Sequence, residues 1–131
     1  MRFEREGKSE IQGVMPKRLL QELSRLRSEG PSSFASLTAP DGSYVQAAGG
    51  PFLFFVEHRS SDPPAHYRAW QSSPVVSFAN GTLLSFSAGR VALQQDEWFT
   101  KPQVIEVFSA FLSGSSFPAF VSWRPAVGLS A

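Results

Sequence analysis

The chain has 131 residues, with 12 lysines and arginines against 11 aspartates and glutamates, and no cysteine. This length fits one domain, the net charge of +1 argues against a basic nucleic-acid-binding face, and the absence of cysteine excludes disulfides and thiolate zinc sites. No apolar run approaches the roughly 20 residues that span a bilayer, and residues 1–15 lack the apolar centre of a signal peptide. We therefore expect a single soluble domain over residues 1–131, located in the cytoplasm, that binds neither nucleic acid nor a membrane.

The first part of the chain predicts one amphipathic helix. Residues 1–14 are polar and contain two glycines, which is typical of a frayed tail or an edge strand. Leucines recur at helical spacing after Pro16, and proline suits a first helical turn because its missing N–H needs no partner there. Gly30 and Pro31 are typical of residues that follow a helix end. These signals predict a helix over residues 16–29.

The middle of the chain predicts consecutive strands separated by turn residues. The turn signals are Pro40-Asp41-Gly42 and Gly49-Gly50-Pro51. The predicted strands cover residues 34–39, 44–48, 52–58, 67–71, 75–79, 82–87 and 90–94, with a polar loop at 60–64 and a turn at 88–89. Asn80-Gly81 favours a two-residue type I′ turn, so we predict a hairpin that joins 75–79 to 82–87.

The last third predicts a second helix and a closing strand. Thr100 and Gln103 have the spacing of a capping box, apolar residues follow at helical spacing, and Gly114 ends the segment. We predict a helix over 101–113 and a strand over 119–123. An unbroken run of strands between two helices indicates an α+β fold. We expect an antiparallel sheet of about five to seven strands with the two helices packed on one face.

The chain carries no recognisable catalytic motif. Nucleophilic catalysis pairs a serine or cysteine with a histidine, and only His58 and His66 are present, without a G-x-S-x-G elbow. A zinc site from these histidines with Glu57 and Asp62 would have a histidine spacing that matches no common ligand pattern. The adjacent acids at 96–97 are explained by the stabilising effect of negative charge near a helix N-terminus. We therefore predict no catalytic residue, no metal and no cofactor.

The segment from residue 57 to 71 has the composition of a protein interface. Aromatic residues mixed with arginine and other hydrogen-bonding groups are typical of binding hot spots. The predicted partner-binding residues are Glu57, His58, Arg59, Asp62, His66, Tyr67, Arg68, Trp70, Asp96 and Glu97. Packing of Tyr67 and Trp70 in the core, with contact through the 96–97 edge instead, is the alternative interpretation. In the first interpretation we expect residues 57–71 on the sheet face that the helices leave open and on its rim.

The C-terminal third carries a pattern of its own. Asp96-Glu97-Trp98-Phe99-Thr100 leads into a helix that ends in Phe111-Leu112-Ser113-Gly114. Pro118 then precedes a strand that contains Val121-Ser122-Trp123. This pattern resembles a family of small bacterial immunity proteins from polymorphic toxin systems, whose members are often encoded beside secreted deaminase toxins.

The resemblance implies a protein that performs no catalysis and uses no cofactor. It implies instead a tight complex with a cognate protein toxin, with a nucleic-acid deaminase as one candidate, in which the toxin's active site or substrate groove is occluded. No site residue follows from the resemblance, because immunity surfaces differ from toxin to toxin. A small hydrolase that uses His58 or His66, and a secretion-system accessory or adaptor protein, are the alternative functions.

Overall fold

Residues 1–126 are described in the computed structural model of the protein. The helices are α1, Pro16–Leu23, and α2, Lys101–Ser113. The strands are β1 Arg2–Arg5, β2 Ile11–Gln12, β3 Phe34–Thr38, β4 Tyr44–Gly49, β5 Leu53–Ser61, β6 Pro64–Trp70, β7 Thr82–Phe86, β8 Gly89–Leu93, β9 Phe99–Thr100 and β10 Ser122–Pro125. The predicted α+β class is confirmed.

One antiparallel sheet organises most of the chain. Its strands lie in the order β10-β6-β5-β4-β3-β1-β2, and β9 pairs with β5, so it has eight strands within residues 1–126. Strands β3 to β6 pair in chain order, because short turns connect antiparallel neighbours directly. Of the two interpretations of residues 1–14, the strand is confirmed, since β1 pairs with β3 and β2 forms the edge.

The two faces of the sheet carry different residues, because successive side chains of a strand point to opposite sides. The first face carries Leu37, Val45, Ala47, Phe54 and Val56, which share one buried cluster with Leu19 and Leu23 of α1 and with Val104, Val107 and Phe108 of α2. The second face carries Ser36, Gln46, Ala48, Phe55, Glu57 and Arg68. Apolar packing therefore dominates the first face, and polar residues occupy much of the second.

Strands β7 and β8 form a separate two-stranded hairpin that packs on the second face. Leu84 and Leu93 of the hairpin join Ala48, Phe55 and Trp98 in a second buried cluster. A two-stranded hairpin is not stable alone and must bury its apolar side against another layer. The expectation of a fully open second face is therefore wrong where the hairpin covers it.

The predicted hairpin across Asn80-Gly81 is also wrong. Residues 75–79 form no strand, and β7 pairs with β8 through the turn at 87–88. The Asn80 side chain instead accepts the Gln95 N–H through Oδ1 at 2.7 Å, and the Gly81 N–H donates to the Leu93 carbonyl at 2.8 Å. The Asn-Gly pair therefore ties the start of β7 to the chain that leaves β8, and it links no two paired strands.

Helix α1 ends at Leu23, earlier than predicted, because tertiary hydrogen bonds replace its last turns. The Arg27 N–H donates to the Ser32 carbonyl at 2.8 Å, and the Ser28 N–H donates to the Gly50 carbonyl at 2.9 Å. Gly50 has a φ of +100°, and a Cβ on it would lie 2.4 Å from the carbonyl oxygen of Leu26. Only glycine allows the β4–β5 connection to approach the chain this closely.

The start and the end of α2 match their predictions. The Thr100 N–H donates to Gln103 Oε1 at 3.0 Å, and Gly114 ends the helix with a φ of 72°. The loop predicted at 60–64 is shorter than expected, because β5 and β6 extend to leave only 62–63 between them. The closing strand begins later than predicted, at Ser122. Within the described residues, neither helix has the length and apolar character needed to cross a membrane.

Candidate functional site

Four residues from four neighbouring strands line up across the second face. The strand register places Arg124 beside Arg68, Arg68 beside Glu57, and Glu57 beside Gln46. Arg68 Nη2 lies 3.1 Å from Glu57 Oε2, and Gln46 Nε2 donates to Glu57 Oε1 at 3.1 Å. Glu57 is only 1% exposed, and a buried carboxylate is tolerated when it is paired and hydrogen-bonded. We call these four residues the polar row.

The segment before α2 adds two carboxylates to the polar row. Asp96 Oδ2 accepts a hydrogen bond from Arg124 Nη2 at 2.7 Å. Glu97 Oε1 lies 3.7 Å from Arg68 Nη1, and Glu97 Oε2 lies 3.6 Å from Arg124 Nη1. The two acids therefore pair with sheet arginines, which gives them a role beyond the helix N-terminus. The segment 57–71 and the 96–97 edge, predicted as alternative contact regions, belong to one network.

Aromatic rings support both arginines of the polar row. The Arg68 guanidinium lies 5.4 Å from the centroid of the Phe55 ring, and the Arg124 guanidinium lies 5.2 Å from the centroid of the Trp70 ring. Cation–π contacts of this kind hold the planar guanidinium in one orientation. Trp70 is half-buried. Trp70 therefore packs against Arg124 and is partly exposed, and its role in an interface stays a prediction.

Two clefts border the polar row on the second face. One of about 350 Å³ lies between β8 and β10 and is lined by Arg68, Ala92, Gln94, Glu97, Arg124, Pro125 and Ala126. Another of about 350 Å³ is lined by Arg2, Ser36, Thr38, Gly42, Tyr44 and Gln46. Ligand pockets start at roughly 300 Å³. Small clefts with polar walls suit individual side chains of a protein partner better than a large ligand.

A second row lies next to the polar row toward the β5–β6 turn. The register places His66 beside Arg59, and Arg59 beside Tyr44. The rings of Tyr44 and His66 meet edge to face, with centroids 6.2 Å apart. All three residues are half-buried, and Asp62 is exposed in the turn that follows β5. Predicted binding residues Arg59, Asp62 and His66 are thus available at this end of the sheet.

His58 and Tyr67 lie on the first face, so the expectation that residues 57–71 occupy the open face and its rim is wrong for these two. Residues 57 and 58 of β5 point to opposite sides because of strand alternation. The His58 ring stacks on Tyr67 at 6.1 Å and also meets Phe117 at 5.2 Å and Trp123 at 5.3 Å. Burial lowers the pKa of His58, and a hydrogen bond of 2.9 Å between Nδ1 and the Tyr44 carbonyl opposes this shift.

The two histidines cannot act together, because His58 and His66 lie on opposite faces of the sheet. Within residues 1–126, no group of three histidine, aspartate or glutamate side chains is placed to hold a metal ion.

Three residues of the two rows were not among the predicted binding residues. Tyr44 and Gln46 could have been found, since β4 alternates these polar residues with buried Val45 and Ala47. Arg124 could not, because its position depends on the pairing of β10 with β6, which are distant in sequence. Alternation within one strand is readable from sequence, whereas pairing between distant strands is not.

No protein-family model matches the chain, and no curated protein matches it. Membership of the immunity-protein family stays a prediction that rests on the resemblance of residues 96–124.

Proposed function

We propose that the protein is an immunity protein that binds a cognate bacterial toxin through the second face of its sheet. It acts in the cytoplasm of the producing cell, occludes the toxin's active site or substrate groove, and performs no catalysis. The resemblance of residues 96–124 to immunity proteins motivates this class of function. Toxins that deaminate nucleic acids are the first partners to test.

The observation that carries the proposal is the polar row of Arg124, Arg68, Glu57 and Gln46. Its side chains are held by ion pairs and aromatic rings within the free protein. Their conformational entropy is therefore lost on folding and not on binding, which favours affinity through preorganisation. A rigid set of donors and acceptors beside two small clefts fits specific recognition of another protein.

Trp70 is the residue on this face best suited to act as an anchor. Tryptophan and arginine are enriched among binding hot spots, and Trp70 is half-buried with Arg124 over its ring. Arg68 is a poorer probe of binding, because its side chain is only 16% exposed and its removal leaves Glu57 without its arginine. Substitutions at Trp70 therefore report on affinity more directly than substitutions at Arg68.

The test begins with capture of the native partner and continues with co-expression, in which the protein should restore growth to cells that produce the captured toxin. In calorimetric titration, Trp70→Ala should weaken binding about 30-fold, which corresponds to about 2 kcal/mol. Phe52→Ala is the matched control, because Phe52 is an aromatic residue that is 77% exposed at the β4–β5 turn. Thermal melts of both variants identify any loss of folding.

Three outcomes would contradict the proposal. Failure to restore growth while a complex still forms would favour an adaptor. If the protein turns over a substrate and a change of His58 or His66 abolishes that turnover, a hydrolase is favoured. Such a hydrolase would use one histidine, because the two lie on opposite faces of the sheet. Equal loss of affinity in Trp70→Ala and Phe52→Ala would move the contact surface away from the polar row.

A further inference from the structure

Arg59 differs from the other arginines of the second face. Arg2, Arg68 and Arg124 each form two ion pairs with neighbouring carboxylates. Among the described residues, no carboxylate pairs with Arg59, although its side chain is half-buried. A guanidinium offers five N–H donors in a planar fork, and a carboxylate can accept two of them in parallel.

Tyr44 and His66 flank Arg59 on the neighbouring strands. Both are its direct partners in the strand register, and the centroids of their rings lie 6.2 Å apart. Neither the Tyr44 hydroxyl nor the His66 ring makes a hydrogen bond to another described residue. Three side chains with hydrogen-bonding capacity therefore lie side by side on three adjacent strands, which are spaced about 4.8 Å apart in a sheet.

We propose that Tyr44, Arg59 and His66 form a recognition site for one carboxylate of a protein partner, the side chain of an exposed aspartate or glutamate. The identity of that partner as a toxin rests on the proposed function. The carboxylate accepts two parallel hydrogen bonds from the Arg59 fork, which is the geometry that arginine favours with carboxylates. The Tyr44 hydroxyl donates to the same group from one side, and His66 lies on the other.

A nucleic-acid backbone fits this face less well than a single carboxylate. The arginines at positions 2, 68 and 124 each pair with carboxylates, which are Glu4, Glu10, Glu57, Asp96 and Glu97. Binding to nucleic acid needs several cations aligned along the phosphates. Arg59 supplies one cation without a carboxylate partner among the described residues, and one such cation complements one isolated negative charge.

The site can be tested before any toxin is known, with a displayed library of short random peptides selected on the full-length protein. Wild-type protein should enrich peptides that share an aspartate or glutamate. Arg59→Gln should bind the best peptide about tenfold more weakly, and Tyr44→Phe about threefold more weakly. Arg25→Gln is the matched control, because Arg25 is exposed and forms no ion pair among the described residues, and its binding should equal wild type.

A double-mutant cycle isolates the contact between the arginine and the acid. Changing the shared acid of the peptide to its amide should weaken binding to wild type as much as Arg59→Gln does, and should cost nothing further in Arg59→Gln. Arg59→Lys keeps the charge but loses the fork, so it should bind more weakly than wild type. Thermal melts of each variant confirm folding, and if Arg59→Gln does not fold, Arg59→Lys and Tyr44→Phe decide the question.

Several results would overturn the proposal. These are an empty selection, enriched peptides without a shared acid, equal binding by Arg59→Gln, or Arg59-dependent binding of a single-stranded oligonucleotide in place of the peptides. The toxin experiment tests the proposed function separately from the carboxylate site. If Arg59→Gln still restores growth, the carboxylate site is contradicted and the immunity function stands. If acidic peptides bind at Arg59 but the protein neutralises no toxin, the site stands and the immunity function is contradicted.

Discussion

Phe54 and Val56 of β5 pack into the buried cluster shared with both helices, whereas Phe55 and Glu57, one residue further along, face the β7–β8 hairpin and the polar row. The same strand thus contributes to an apolar core on one side and to an ion-pair network on the other. The first face buries its residues mainly by apolar packing, with one buried ion pair between Arg5 of β1 and Glu22 of α1. The second face buries the Glu57 carboxylate, which pairs with Arg68 and accepts a hydrogen bond from Gln46.

This difference separates stability from recognition. Burial of apolar side chains supplies most of the free energy of folding. A buried ion pair adds little net stability, because the desolvation of both charges offsets their attraction. The polar row is therefore better explained by the orientation it imposes on surface groups than by its contribution to folding. Substitutions on the two faces should have distinguishable effects.

The largest expected effect comes from the first face. Phe108 of α2 is fully buried in the cluster of that face. Phe108→Ala should lower the free energy of unfolding by about 3–5 kcal/mol, because it leaves a cavity as well as losing apolar burial. Phe86 of the hairpin is half-buried, so Phe86→Ala should lower the free energy of unfolding by about half as much or less. Urea denaturation measures both, and an equal loss in the two variants would contradict the division between the faces.

The sequence predicted the part of the fold that depends on local signals. Alternating residues and the turn at Pro40-Asp41-Gly42 were enough for β3 and β4, and the capping pair Thr100 and Gln103 was enough for the start of α2. The prediction of the hairpin at 75–87 was wrong because two turn signals, one on each side, compete to pair the strand at 82–86. Asn80-Gly81 has the stronger intrinsic preference, but the turn at 87–88 lets Leu84 and Leu93 bury together.

The candidate site was predicted in part for the same reason. Glu57 and Arg68 were identified from composition, and the sequence spacing alone could have assigned His58 to the opposite face. The ion pairs of Asp96 and Glu97 depend on the position of Arg124 at the sheet edge, and no local signal encodes that position. Composition therefore located the region, and long-range pairing determined which residues meet.

The second largest effect is expected in the polar row. Arg68→Ala removes the arginine that pairs with Glu57, which is 1% exposed, and should lower the free energy of unfolding by about 3 kcal/mol. The double variant Arg68→Met with Glu57→Gln should recover at least half of that loss, because residue 57 then carries no buried charge. Chemical denaturation of the three proteins gives the comparison. A double variant no more stable than Arg68→Ala would show that the pair contributes net stability.

A smaller effect should appear in the pH dependence of the first face. Burial lowers the pKa of His58 below its ordinary value of 6.5, so the folded protein favours the neutral ring. The resulting stability is fully present above pH 6.5 and is lost as the pH falls through the lowered pKa. Thermal melts between pH 8 and pH 5, about the range in which histidine titrates, should show this decline in wild type. His58→Phe should flatten it.

The smallest effect should be local to the hairpin of the second face. Glu6 Oε1 accepts hydrogen bonds from the Ser33 N–H at 2.7 Å and the Ser33 hydroxyl at 2.8 Å, and Glu6 Oε2 accepts one from the Ser87 hydroxyl at the turn between β7 and β8. The Ser87 contact is the main cause of the lowered pKa of Glu6, and burial partly opposes it. These bonds fix the hairpin turn to the chain that precedes β3.

Glu6→Gln should therefore loosen the hairpin and leave the rest of the sheet intact. Amide exchange over β7 and β8 should become about fivefold faster, which corresponds to about 1 kcal/mol of local opening free energy, while β4 and β5 exchange as in wild type. Glu4→Gln is the matched control, since Glu4 is exposed and, among residues 1–126, pairs with Arg2 alone. In wild type the same opening should follow protonation as the pH falls below 4.5, the ordinary pKa of a glutamate. Faster exchange across β4 and β5 as well would mean that the hairpin and the two faces unfold as one unit, and the separation between stability and recognition would not hold.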